Sequence, residues 1–445
     1  MASTYLTHTT STPTNNDKCT ISFWIKFSNV GSDLGIFSQH TDSNNRIQLA
    51  RLSSGALSLF QKVSSSIEIS ITTNKLFRDV SSWYHVVIAF DTTQSTASDR
   101  VKFYVNGVQE TSFSVSTYPS QNTDIRFNSS SLVQEIGRIT ADTYMNGSMS
   151  HVHFIDGTAY DASAFGQTDT TTGEWRAKTS PSVTYGTNGF FILKDGNSVT
   201  DSSSNSNAFT VSGGTLTDLK DNPDNVFATL NALDNYYQVD TLSNGNLTMV
   251  GGGQYAPRTA TLGLTTGKWY WEILTNNFQS SDQTCLGISS EVATAANYEF
   301  YNQSGNNVGY GYFSNGSGYG NGGTIFTSYG SASGTHTIGV AIDLDNNKIA
   351  WSYDGTWQGS ANPSNGTNMI SITAPSSLAT GTYFPAFTQK TNTRTLNVNF
   401  GNGYFGTTAI TTNSGNGYSG AEGSSKFNQI VPTGYSAVST KGLNE

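Results

Sequence analysis

From Thr20 onward the segment TISFWIKFS alternates apolar and polar side chains, which puts Ile21, Phe23, Ile25 and Phe27 on one face of an extended strand. That face is expected to be core. The same rhythm returns in LGIFSQ, RIQLARL, ALSLFQKV, IEISITT, WYHVVIAFD, VKFYVNG, LVQEIG and SMSHVHFID. Polar clusters, DSNN at 42–45 and TTQSTASD at 92–99, separate these runs at hairpin spacing. None of the runs has a helical period of useful length, so the pattern predicts an antiparallel sandwich rather than a βαβ protein. One short helical turn is predicted in this half, in DASAFG at 161–166, with Asp161 as its cap and Gly166 as its stop. The half closes with GFFILKD at 189–195, a polar SSSNSN hairpin and AFTVSG at 208–213.

The run DLKDNPDN at 218–225 concentrates Asp, Asn and Pro without apolar periodicity, which predicts a boundary between domains 1–220 and 221–445. Beyond it VFATLNAL, KWYWEIL (268–274), TCLGISS, NVGYGYFSN, HTIGVAIDLD, KIAWSYDG, TYFPAF and TLNVNFG again read as short extended elements. The halves echo each other. VVIAFD and VKFYVNG at 86–107 match VAIDLD and KIAWSYDG at 340–355: a strand, a polar turn, a second strand, and an Asn-Gly or Asp-Gly hairpin. The expected fold class is all-β, two antiparallel β-sandwiches of jelly-roll type in tandem.

Composition narrows the functions. Only 12% of the 445 residues are charged, against roughly 25% in an average soluble domain, while Gly reaches 45. Aromatic residues make up 12%, enough apolar surface to offset the ordering entropy of the chain. A net charge of −9 with no basic stripe opposes nucleic acid and anionic membranes as partners. The N-terminal MASTYLTHTTSTPTNNDKC has no signal-peptide pattern and no run is long enough to cross a bilayer, so no membrane insertion is expected and the protein is read as made and kept in the cytosol. Cys19 and Cys285 are the only cysteines and are read as buried thiols, a disulfide or a ligand role being the lesser alternative.

The strand sequences carry a resemblance. TISFWIKF, WYHVVIAFD and VKFYVNGV make residues 3–215 similar to the laminin G-like branch of the concanavalin A-like superfamily. HFIDGTAYDASAFGQTDTTTGEWRAK at 153–178 resembles a stretch seen in tail-fibre-like and other structural proteins of marine and cyanobacterial phages. The second half, about 225–445, resembles a SPRY domain, also concanavalin-like, through KWYWEIL, LGISS, TIGVAIDLDNNKIAWSYDG, YFPAF and LNVNFG. DNPDNVFATLN and GYSAVSTKGLNE are similar to phage proteins with this domain pairing, although AVSTKG around Val438 replaces the cysteine-containing end those proteins carry. The resemblance implies a virion structural protein, a tail-fibre or appendage component or a capsid-surface decoration. Other virion proteins are then its partners, and a homo-oligomer, with three copies as the expected number, is its assembly. A dedicated receptor-recognition knob for host polysaccharide is the alternative, and a glycan-degrading enzyme the third reading.

Candidate chemistry is sparse. A glycosidase of this fold needs an acid and a nucleophile about 5 Å apart, set by acidic residues alternating on one strand. The nearest pattern is Asp343 and Asp345, read instead as solvated turn carboxylates capping amides beside Asn346-Asn347; Glu68, Glu135 and Glu272 stand singly. His151 and His153 have the spacing of a strand-face pair, with no third metal ligand near in sequence, and are expected to be half exposed. No serine sits in a nucleophile elbow. No cofactor is expected; loop calcium would rest on Asp91, Asp99, Asp156 and Asp161, which are read first as turn residues. The one binding surface suggested is 308–329. Tyr310, Tyr312 and Tyr319 would offer aromatic faces, and Asn315 and Asn321 paired donors and acceptors, for a sugar. The competing reading, which a strand setting favours, packs these tyrosines in a core and leaves the Gly-Asn pairs to make hairpins.

Overall fold

Ile21, Phe23, Ile25 and Phe27 all point into one core, where they meet Ile47, Leu49, Leu57, Leu59, Ile69 and Ile71 from a facing sheet. The computed structural model describes residues 3–443 apart from 140–142, 171–172, 195, 197, 235, 238, 280, 282–283, 304–305, 308, 321–322, 328, 331–333, 392 and 412–417. It divides into two units, Met1–Asp218 and Leu219–Glu445, each a two-layer antiparallel β-sandwich. Short 3-10 turns and one helical turn, Thr440–Leu443, make up the described helix.

In the first unit one sheet runs, in spatial order, Phe113–Thr117, Ser66–Leu76, Ala56–Val63, Asn45–Arg51, Leu34–Asp42, Val133–Ile136, Tyr5–Thr9 and Thr210–Ser212. The facing sheet runs Phe190–Ile192, Gly147–Asp156, Lys18–Phe27, Tyr84–Asp91, Val101–Val105 and Val108–Glu110. The Lys18–Phe27 strand is buried on both faces, not one. Its second face lies under a layer built by Tyr160, Ala162, Phe165, Trp175 and Tyr185, packed on Val87 and Ile155. The predicted turn within that layer forms as Ala162–Ala164, with the Asp161 carboxylate accepting the Ser163 N–H at 2.8 Å. Gly166 opens a strand instead of ending the turn loosely, because its lack of a Cβ leaves room for the Trp175 ring. Two further 3-10 turns, Ala97–Asp99 and Arg126–Asn128, carry no hydrophobic period and were not predicted.

In the second unit the Lys268–Phe278 strand pairs with Gly334–Asp343 and Thr395–Asn399, and the facing sheet centres on Cys285–Ser289, Gly309–Phe313 and Phe384–Thr388. Trp271, Ile273, Val340, Ile342, Trp351, Tyr310, Tyr312 and Phe387 fill the space between. VFATLNAL forms only isolated bridges, Phe227 to Ser439 and Leu230 to Ala260, so it laces the unit together without becoming a strand. The paired hairpins are real. Asn106-Gly107 and Asp354-Gly355 both turn with positive φ at both residues, the twist that a two-residue connection between antiparallel strands requires.

Candidate functional site

The Gly309–Phe313 strand and its hairpin partner Gly318–Gly320 explain the spacing of the tyrosines. Period two sends Tyr310 and Tyr312 to one face and Gly311 and Phe313 to the other, and Tyr319 pairs with Gly311. Tyr310 and Tyr312 are therefore core residues, 2% and 1% exposed, and are corrected as saccharide ligands. Their hydroxyls are engaged: Tyr310 accepts the Thr373 N–H at 2.9 Å, and Tyr312 donates to the Gly330 carbonyl. Glycine makes room for them, since a Cβ at Gly320 would stand 2.4 Å from the Tyr310 ring. Asn315 is exposed, and its side-chain oxygen holds the turn by accepting the Ser317 N–H at 2.9 Å. Asn321 lies outside the described residues.

Tyr319 points the other way, onto the outer face of its sheet. There it stacks on Tyr301, with ring centroids 5.6 Å apart and planes 20° from parallel. Phe313 meets both edge-on, at 5.1 Å and 5.8 Å. Phe300, Cys285 and Ala386 form the buried floor, and Gly311 admits it because a Cβ there would meet the Cys285 sulfur at 2.2 Å. Tyr255 joins the group: its phenol hydrogen-bonds the Glu299 carboxylate, and the Lys390 ammonium sits 4.7 Å from its ring. Burial and then Glu299 push the Tyr255 phenol well above its ordinary value, and burial does the same for Tyr301. The Tyr255 and Tyr301 hydroxyls therefore keep their protons at neutral pH. Half-buried rings with protonated hydroxyls, one carboxylate and one ammonium form an amphipathic surface that can stack apolar C–H and hydrogen-bond hydroxyls together. The sequence reading found Tyr319 here; Tyr255 arrives from one loop, and Glu299 and Tyr301 together from another.

The groups considered for catalysis have partners within the fold. Asp343 is buried beside Lys268 at 3.4 Å and accepts the Asn346 N–H, so it caps the turn as expected but is not solvated. Asp345 accepts the Gly267 N–H at 2.8 Å. Glu68 takes the Gln61 amide at 2.9 Å, and Glu135 pairs with Arg138. Glu272 is fully buried and takes four donors, from Tyr270, Asn399 and the backbone of Asn428 and Gln429. Burial still pushes its carboxyl up to about 7. His153 is buried too, not half exposed, because Phe165, Tyr185 and Phe191 pack on its ring, and an irregularity between Ser150 and His153, with His151 at positive φ, breaks the expected strand-face pair. Asp91 holds Thr93, Gln94 and Lys18, Asp99 pairs with Lys102, and Asp156 takes the amides of Thr14, Asn15 and Asn188. Among the described residues no three His, Cys, Asp or Glu side chains gather as a metal site. Cys19 and Cys285 are free buried thiols.

The family model described as the Concanavalin A-like lectin/glucanases superfamily matches residues 1–163. The chain thus contains a domain of a fold that lectins and glucanases share. Among solved structures it is similar to the SPRY domain of human HERC1, at 16% identity over 36% of this chain and 92% of that one, with a TM-score of 0.28. A heptameric SAP-like pentraxin from Limulus polyphemus matches at 20% identity over 35% and 71%, TM-score 0.27. Domain 4 of AbnA, a GH43 arabinanase from Geobacillus stearothermophilus solved with arabinotriose, matches at 18% identity over 32% and 63%, TM-score 0.25. No curated protein matches the chain. No described helix is long and apolar enough to cross a membrane.

Proposed function

We propose that this chain is a non-catalytic structural protein of a phage particle whose second unit holds a neutral saccharide on the Tyr301–Tyr319 face. The observation that carries the adhesive part is the half-buried stack of Tyr319 on Tyr301, flanked by Phe313 and by the Tyr255–Glu299 pair. The virion assignment is supported by the resemblance of 153–178 to phage structural proteins, whose aromatic residues here seal one face of a sheet. In favour of a non-catalytic role, Glu272, Asp156 and Asp343 direct their oxygens at backbone amides or a lysine and not at open space. A symmetric homo-oligomer, with three copies as the working number, and contacts to other virion proteins complete the reading.

Two measurements test it. Immunolabelled virions viewed by electron microscopy should carry label on the particle; its absence would remove the structural role. A panel of neutral oligosaccharides titrated against the full chain should show binding that Tyr319→Ala weakens by about tenfold, the loss of one stacked ring. If Tyr319→Ala folds normally and binds every sugar as the parent does, the tyrosine face is not the site.

A further inference from the structure

The two sheets of the first unit differ on their outer faces. One is sealed by the Trp175 layer; the other, on the eight-stranded sheet, carries polar side chains beside a cavity of about 230 Å³ lined by Ser38, His40, Asp42, Arg46 and Gln48. Cross-strand register sets its chemistry. Arg46 lies opposite His40 on one side and opposite Lys62 on the other, so three basic side chains form one row across three strands. Like charges placed directly opposite each other destabilise a sheet unless something offsets them. Elsewhere on this unit Lys18, Lys75, Lys102 and Arg138 have carboxylate partners, whereas among the described residues Arg46 and Lys62 have none.

Arg46 is held in place but largely uncommitted. Its guanidinium lies 5.3 Å from the Phe60 ring and donates once, to the Ser43 carbonyl at 2.9 Å. Its Nε is shielded from water without any acceptor, so the guanidinium is not fully satisfied in this pose. Asp42, the carboxylate in the cavity wall, does not serve, because it is engaged in its own turn with Asn44 and Asn45. Among the described residues nothing hydrogen-bonds the His40 ring or the Gln48 carboxamide. A guanidinium backed by a ring, with a free amide and imidazole alongside it in the cavity wall, suits one anionic group attached to a hydroxylated ring; the Lys62 ammonium across the strand pair stands beside the lining and donates to the Asn44 carboxamide oxygen at 3.1 Å. Two cations on a chain of net charge −9 suit an isolated acid group and not a dense polyphosphate.

We infer that this cavity binds an acidic saccharide, with its carboxylate or sulfate on the Arg46 guanidinium, Lys62 adding its charge from beside the cavity, and ring hydroxyls on Gln48 and His40. This site is separate from the tyrosine face in unit, residues and ligand charge. The full-length protein is titrated calorimetrically with a short oligogalacturonate, its neutral methyl ester, a sulfated galactan oligomer, sodium sulfate and single-stranded DNA. The expected result is binding of one or both acidic oligosaccharides, weakened about tenfold by Arg46→Gln and by Lys62→Gln and reduced by added salt. The response to the uronate against the sulfated oligomer says which acid group is preferred. Tyr319→Ala leaves this affinity unchanged, so loss of the tyrosine site and loss of this one read out separately. The inference is overturned if neither acidic oligomer binds, or if the methyl ester, sodium sulfate or DNA binds as tightly as the acidic oligomer. It is also overturned if Arg46→Gln and Lys62→Gln, with thermal midpoints near the parent's, keep full affinity.

Discussion

Acidification should loosen the layer that covers the six-stranded sheet of the first unit. His85 is 1% exposed beneath it, stacked on Trp24 and hydrogen-bonded at both ring nitrogens, to Trp175 Nε1 and to Ser22 Oγ, each at 2.9 Å. An indole N–H can only donate, so His85 Nδ1 accepts and its Nε2–H donates to Ser22. A proton added at Nδ1 would set two donors face to face. Burial, with His151 nearby, pushes His85 down to about 3, and burial lowers His153, which meets the Tyr185 hydroxyl at 3.0 Å, well below its ordinary value. The sign follows from linkage. The unfolded chain takes a proton near pH 6.5 that the folded chain refuses, so stability is complete above that value and is lost as pH falls toward 3. Each pH unit of that window is worth about 1.4 kcal/mol per histidine. His85 alone therefore contributes a loss of about 2 kcal/mol by pH 5 and about 4 kcal/mol by pH 3. His153 adds in the same direction.

Hydrogen exchange with mass spectrometry, corrected for intrinsic rates, resolves where the loss falls. Protection of peptides from 83–91 and 157–189 should drop between pH 7 and 5, before most carboxylates titrate. His85→Gln should flatten the dependence, and Trp175→Phe, which frees Nδ1, should reduce it. Protection unchanged across that range, or a slope that His85→Gln leaves intact, would refute the account.

The second unit should respond in the opposite sense. The Glu272 carboxyl is raised to about 7, so its contribution is present below pH 4.5 and is lost as pH rises through 7, a cost of about 3 kcal/mol that denaturant titrations at pH 5 and pH 8 would detect. Glu272→Gln should abolish that slope, and a slope that survives it would point to another group. Gly107→Ala should destabilise the first unit by about 1–3 kcal/mol in thermal unfolding, because φ is +82° there and the new Cβ would stand 2.6 Å from the Trp175 ring. A neutral result would mean that the ring can shift at no cost.

What could be read in advance was whatever local parity decides. The alternation in TISFWIKFS located the first core, Asn106-Gly107 and Asp354-Gly355 located matching hairpins, and Asp161 located a capped turn. Parity also separates Tyr310 and Tyr312 from Tyr319, but only once the turn between them is known to pair Tyr312 with Gly318. Which of those faces is core depends on the facing sheet, and that lies beyond local pattern. Where parity breaks, the reading failed: the irregularity after Ser150 undid the His151–His153 pair.

The remaining features are long-range by construction. Glu272 looks isolated in KWYWEIL because two of its donors lie 127 and 156 residues further on. The polar-looking outer face of the Lys18–Phe27 strand is buried only because 157–189 folds back over it, so Ser22 and Thr20 read as solvent-facing when they are not. The basic row is different in kind. His40, Arg46 and Lys62 lie on three consecutive hairpin strands, and aligning LGIFSQHTD, NRIQLAR and ALSLFQKV through their short turns brings them into one line. All three are half-buried, and among the described residues no carboxylate pairs with the Arg46 or Lys62 cation. A sheet that tolerates opposed like charges beside a cavity, while its partner sheet carries the Trp175 layer, divides its labour: one outer face contributes to stability and the other is left to meet a ligand.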